Sequence, residues 1–135
     1  MSAIAAIATS NAPSAIGPYS QAVRTGDLLF VSGQLPLPPE AGAVGESIEE
    51  QTRQSLDNVT AIIREAGGQL SDVVRVGIFV TDIKEFGVVN KIYAEYFSAE
   101  PRPARAVVEV SALPRPEARI EIEATVAVGA TSSNV

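Results

Sequence analysis

Between Ser47 and Gly68 the chain spells one amphipathic helix, and on both sides of it hydrophobicity runs with a period of two. Ile48, Leu56, Val59, Ile62, Ile63 and Ala66 fall on one face of a 3.6-residue repeat. Ser47 and Glu50 form a capping-box pattern at its start, and Gly67-Gly68 stop it. A helix with one apolar stripe must lay that stripe on another element, and the period-two segments provide a sheet for it.

Those segments can be placed in order. Residues 21–34 read as two short strands around Thr25-Gly26-Asp27, a hairpin signal. Residues 73–82 read as a strand with Val74, Val76, Ile78 and Val80 on one face. A second helix follows, with Phe86, Val89, Asn90, Tyr93 and Phe97 at helical spacing and Asp82 and Glu85 suited to its first turn. Residues 102–110 and 119–128 read as the last two strands, joined by the turn-rich segment 112–118. The Pro/Gly-rich stretch 35–46 is a loop, residues 1–11 a loose arm, and 129–135 a disordered tail. The expected fold is α+β: a single domain, residues 1–135, with a mixed sheet and both helices on one of its faces.

Alternation also sorts the charges. In the strand at 102–110, Ala104, Ala106, Val108 and Val110 share one face, expected beneath the helices, and Arg105, Val107, Glu109 and Ser111 share the other. In the last strand Ile120, Ile122, Ala124 and Val126 make the core face, while Arg119, Glu121, Glu123 and Thr125 point away. Arg105, Glu109, Glu121 and Glu123 are thus expected together on the helix-free face, beside Val107 and Ala127. That mixture fits two descriptions: a wet sheet face with cross-strand ion pairs, or a subunit interface with a site in it.

Composition narrows the chemistry. The 135 residues include no histidine and no cysteine. Ser–His–Asp and Cys–His catalysis, disulfides and the usual zinc sites are excluded with them. A metal would need oxygen ligands alone, and no EF-hand spacing is present, so no metal site is expected. The net charge of −6 comes from 10 basic and 16 acidic residues and argues against nucleic-acid binding, which draws its affinity from phosphate neutralisation. No apolar run approaches the roughly 18–20 residues that span a bilayer. The opening "MSAIAAIATS" lacks the basic start of a signal peptide, which makes a cytoplasmic location the expectation.

Six stretches carry a resemblance: "NAPSAIGPYSQAV", "LLFVSGQLPL", "EEQTRQSLDNV", "VNKIYAEYF", "RPARAVVEV" and "RIEIEA". In this order, from about Asn11 to Val128, they resemble the reactive-intermediate deaminase (Rid) family of enamine/imine deaminases. The resemblance implies a chorismate-mutase-like α+β fold. It also implies a homotrimer that packs its helix-free sheet faces around a common axis, with ligand clefts between neighbours. The implied reaction is hydrolysis of 2-iminoacids to 2-ketoacids and ammonia, without a cofactor.

Residue by residue, the resemblance makes Arg105 of Pro103-Ala104-Arg105 the bidentate anchor for the substrate carboxylate. Glu121, the first glutamate of "IEIE", is the group that orients or activates water. Tyr19 of "GPY", Ser32 and Gly33 of "SGQ", Asn90 of "VNKIY" and the main chain at Val107 take cleft positions. Two departures bear on specificity. Ala106 and Val107 stand where Ser or Thr and Cys are common, and Arg102 stands where an aromatic residue can occur. Small side chains next to Arg105 lead us to expect small aliphatic iminoacids, such as those formed from threonine or serine. Two rival activities share these residues: a small-carboxylate-binding protein without turnover, and a ribonuclease or translation inhibitor, which the acidic charge argues against.

Overall fold

A computed structural model of the chain describes residues 3–131. Its six strands form one sheet: β1 (Ile4–Ile7), β2 (Ala22–Thr25), β3 (Leu28–Gln34), β4 (Val73–Val80), β5 (Ala104–Glu109) and β6 (Ile120–Ala127). The spatial order is β1-β2-β3-β6-β4-β5. Only the β4/β5 pair is parallel, as its crossover through helix α2 (Phe86–Tyr96) requires. Helix α1 (Ile48–Glu65) connects β3 to β4 and lies over β3 and β6, against α2. This is the expected α+β architecture, with a mixed sheet and helices over one face.

Local signals explain most of it. Both halves of the α1 capping box are formed: the Glu50 amide donates to Ser47 Oγ at 3.0 Å, and the Ser47 amide donates to Glu50 Oε1 at 3.1 Å. Gly67, at φ +86°, takes the left-handed step that ends the helix. The β2–β3 hairpin turns at Gly26-Asp27 with Gly26 at φ +58°, a conformation that costs glycine nothing. The stripe Ile48, Leu56, Val59, Ile62, Ile63 and Ala66 is buried against Leu29, Val31, Val76, Ile78, Ile122, Ala124 and Val126.

Buried amides fasten the long loops to this core. Asn58 Nδ2 donates to the carbonyls of Leu35 and Leu37, and Gln51 Nε2 donates to those of Gly45 and Glu117. Gln21 Nε2 donates to the Thr9 and Pro13 carbonyls, while its Oε1 accepts from the Thr9 amide. Asp72 draws in the amides of Gln69, Gly129 and Thr131 and the Thr131 hydroxyl. Burial alone would raise the Asp72 pKa, but these hydrogen bonds outweigh it and hold the carboxyl below its usual range.

Four expectations change. Residues 4–7 of the supposed loose arm are a strand, paired antiparallel with β2 from Ile4↔Thr25 to Ile7↔Ala22. At the start of β4 the register shifts between Val73 and Arg75, so Val73 takes the core position and Val74 is exposed. The first residues of the supposed tail, Gly129 and Thr131, are tied to Asp72; 132–135 lie outside the described residues. The fourth change concerns the facing of β5.

Candidate active site

Register settles which way β5 faces. Arg105 pairs with Val76, Val107 with Ile78 and Glu109 with Val80, and these three β4 residues are buried beneath the helices. Arg105, Val107 and Glu109 therefore share the helix side, while Ala104, Ala106 and Val108 lie on the helix-free face. The expected assignment is inverted. The reason is that α2 and the turn that leads into it offer polar partners at the open edge of the sheet. Asn90 Oδ1 accepts from Arg105 Nη1 at 2.8 Å, and Glu109 Oε1 accepts from the Ile83 amide at 2.9 Å.

β6 faces as expected. Its core residues lie under α1, and Glu121 and Glu123 stand on the helix-free face, opposite Phe79 and Gly77 in the β4 register. Arg105 and Glu121 of one chain thus occupy opposite faces of the sheet, with β4 between their strands. The two residues expected to act together are not brought together within one chain.

The arginine side is built on one helix face. Phe86, Asn90 and Tyr93 follow i, i+4, i+7 spacing on α2. The Arg105 guanidinium carbon lies 4.6 Å from the Tyr93 ring centroid and 5.6 Å from that of Phe86. No carboxylate among the described residues pairs with Arg105; the ion pairs lie elsewhere, including Arg53–Glu95, Arg75–Glu123 and the partly buried Arg119–Glu85. Arg105 is an exposed cation held by an amide and aromatic faces, with no counter-ion among the described residues. Val107, next along this face, is half-buried and packs on the core.

The glutamate side is a concavity of about 350 Å³ on the helix-free face, lined by Gly33, Phe79, Leu113, Glu121, Glu123 and residues around Val110. Gly33 permits it: a Cβ at this position would stand 2.6 Å from Glu121 Oε2. Burial, and then repulsion from Glu123, push the Glu121 carboxyl above its ordinary pKa. Such a carboxyl is a stronger base when ionised than an ordinary one. Ser32 uses its hydroxyl on the neighbouring loop, donating to the Ser20 carbonyl at 2.7 Å. Tyr19, in that loop, is 53% exposed.

Five of the predicted residues fall into two groups: Arg105, Asn90 and Val107 on the helix side of the sheet edge, and Gly33 and Glu121 on the other face; Tyr19 lies in the neighbouring loop and Ser32 is bonded to it. Phe86 and Tyr93 were read from sequence only as a helical stripe. Their contact with the guanidinium was signalled by the spacing they share with Asn90. Among the described residues no three carboxylates gather into a metal-binding group, and no helix is long and apolar enough to cross a membrane.

The family model described as Endoribonuclease L-PSP matches residues 9–128. The chain belongs to this family, the Rid family. A 2-iminobutanoate/2-iminopropanoate deaminase of Salmonella typhimurium is 48% identical over 120 residues, covering 87% of this chain and 93% of that one. A RutC family protein of Pyrococcus horikoshii is 49% identical over 119 residues, with the same coverage of 87% and 93%. The crystal structure of YyfA, a Rid-family protein from Yersinia pestis, matches with a TM-score of 0.90 at 47% identity. That match covers 93% of this chain and 100% of YyfA. The Rid fold is thereby established.

Proposed function

We propose that this protein hydrolyses 2-iminoacids, released as reactive enamines, to 2-ketoacids and ammonia, at sites completed between subunits. The observation that carries the reading is Arg105: a guanidinium oriented by Asn90, lacking any carboxylate partner among the described residues of its own chain and exposed at a sheet edge. A fork of fixed N–H groups suits a carboxylate, and it stays charged at every relevant pH. The small aliphatic iminoacids in the name of the Salmonella relative agree with the small Val107 that follows the anchor on the same face of β5; Ala106 lies on the opposite face.

The chemistry asks little of the protein. An iminium carbon is already electrophilic, so an anchor, an oriented water and one proton carrier suffice. Glu121 takes a proton as the water oxygen bonds to the iminium carbon, giving a carbinolamine. The carboxyl returns that proton to nitrogen. The C–N bond then breaks as the hydroxyl collapses to the carbonyl, and the released ammonia carries away the hydroxyl proton as ammonium. Tyr19, Ser32, Gly33, Asn90 and the Val107 main chain complete the cleft in this proposal.

Because one chain holds Arg105 and Glu121 on opposite faces, such a site needs two copies, with Arg105 of one meeting Glu121 of the next. The helix-free face supports that assembly: besides the acidic concavity it exposes Ile4, Leu28, Phe30 and Val108, spread across the sheet. A closed homotrimer satisfies all three copies alike.

The test is ketoacid release from a freshly generated 2-iminoacid. Arg105→Ala is expected to remain folded and assembled yet lose about a hundredfold in turnover, the scale of one charge-assisted bidentate pair in a desolvated cleft. Arg105→Lys, which keeps the charge but loses the fork, rescues poorly. Near-normal hydrolysis by a folded Arg105→Ala protein overturns the proposal. If Glu121→Gln leaves hydrolysis intact, the carboxyl is not the proton carrier.

A further inference from the structure

Arg105 sits on an edge strand, where a long cationic side chain would ordinarily sample many rotamers. Here its guanidinium lies over Tyr93, 4.6 Å from the ring centroid, and is tethered by Asn90. The Tyr93 ring is itself immobilised: it is 5% exposed and stacks on Phe97 with centroids 4.6 Å apart. Its hydroxyl is buried without a hydrogen-bond partner, so the arrangement uses the ring and not the oxygen.

We propose that Tyr93 is the positioning residue for the carboxylate anchor, its ring face fixing the plane in which Arg105 presents its fork. The inference rests on the reading of Arg105 as that anchor. A bidentate pair needs the carboxylate coplanar with the guanidinium, so fixing that plane fixes how the acid enters. The conjugated C=N of a 2-iminoacid tends to lie in the plane of its carboxylate, which leaves the faces of the imine carbon open to water. A ring face attracts the cation through its quadrupole, and phenylalanine supplies the same face. Phe86, at 5.6 Å, borders the guanidinium more distantly.

Calorimetric binding of 2-oxobutanoate to the assembled protein tests this without requiring turnover. Tyr93→Leu is expected to weaken binding by about tenfold, and Tyr93→Phe to stay within about twofold of wild type. Where iminoacid hydrolysis is measurable, Tyr93→Leu should raise KM far more than it lowers kcat. Unchanged ketoacid affinity in a folded Tyr93→Leu protein overturns the role, as does a Tyr93→Phe protein that loses as much as the leucine variant. Should the leucine variant not fold, the wild type decides by NMR: the Arg105 side-chain N–H protons should show an upfield ring-current shift, and its absence overturns the proposal. Ketoacid binding that depends on the Tyr93 ring, in a protein that hydrolyses no iminoacid, supports the positioning role while contradicting deamination.

Discussion

β6 and β5 carry the same period-two alternation, and the fold uses it in opposite senses. β6 lies between β3 and β4, and its apolar stripe, Ile120, Ile122, Ala124 and Val126, is sealed beneath α1. β5 pairs only β4, and none of its residues is buried. Its apolar stripe of Ala104, Ala106 and Val108 faces away from the helices, and its charged stripe faces α2. Alternation tells which residues share a face. Which face goes inward depends on what lies opposite, and for β5 that is an asparagine, two aromatic rings and the Ile83 backbone amide. In the proposed assembly a second copy covers the stripe that this chain leaves open.

The largest expected effect tests the sealed strand. Ile122→Ala should cost about 3 kcal/mol in denaturant unfolding, the usual range for emptying a fully buried aliphatic site. Val108→Ala, at a position 44% exposed in the single chain, should cost under about 1 kcal/mol when unfolding starts from the separated chain. Equal losses at the two positions would erase the distinction between the strands.

A change to the open stripe should act on assembly instead. Val108→Asp places a charge on the face proposed to be covered, so sedimentation should find the chain folded but of lower mass than wild type. An unaltered oligomer would remove β5 from the interface.

The smallest expected effect concerns the glutamate face. Burial and Glu123 raise the Glu121 pKa, so the ionised base appears, and activity rises, as pH climbs through that raised value. Glu123→Gln removes the repulsion and should move the acid limb of the pH–rate profile to lower pH. An unmoved limb would detach Glu121 from it. For stability the sign is reversed: a raised folded-state pKa favours the fold below the ordinary carboxylate range, and that contribution is lost as pH rises through the folded value.

These contrasts mark what was legible in the sequence. Helix α1 could be read in full because its cap, stripe and stop are all local, and the β6 stripe could be read because Ile, Ile, Ala and Val have a core to meet. β1 could not, since Ile4-Ala5-Ala6-Ile7 has no alternation and owes its form to pairing with β2. Val74 was displaced by a register shift that only pairing reveals. For the site, family motifs singled out Arg105 and Glu121, but not that one chain holds them apart, because edge-strand facing depends on α2. The three-residue spacing from Asn90 to Tyr93 was visible all along, but its meaning required the guanidinium above it.

The separation of Arg105 from Glu121 makes the central claim testable by mixing two inactive proteins. Arg105→Ala and Glu121→Gln subunits, dissociated together and reassembled, should form sites that take Arg105 from one subunit and Glu121 from its neighbour. Random mixing would make about a quarter of the sites intact, so hydrolysis of a 2-iminoacid should return to about that fraction of wild type. Mixed assemblies no more active than their two parents would contradict the account, because the anchor and the base would then have to come from the same chain.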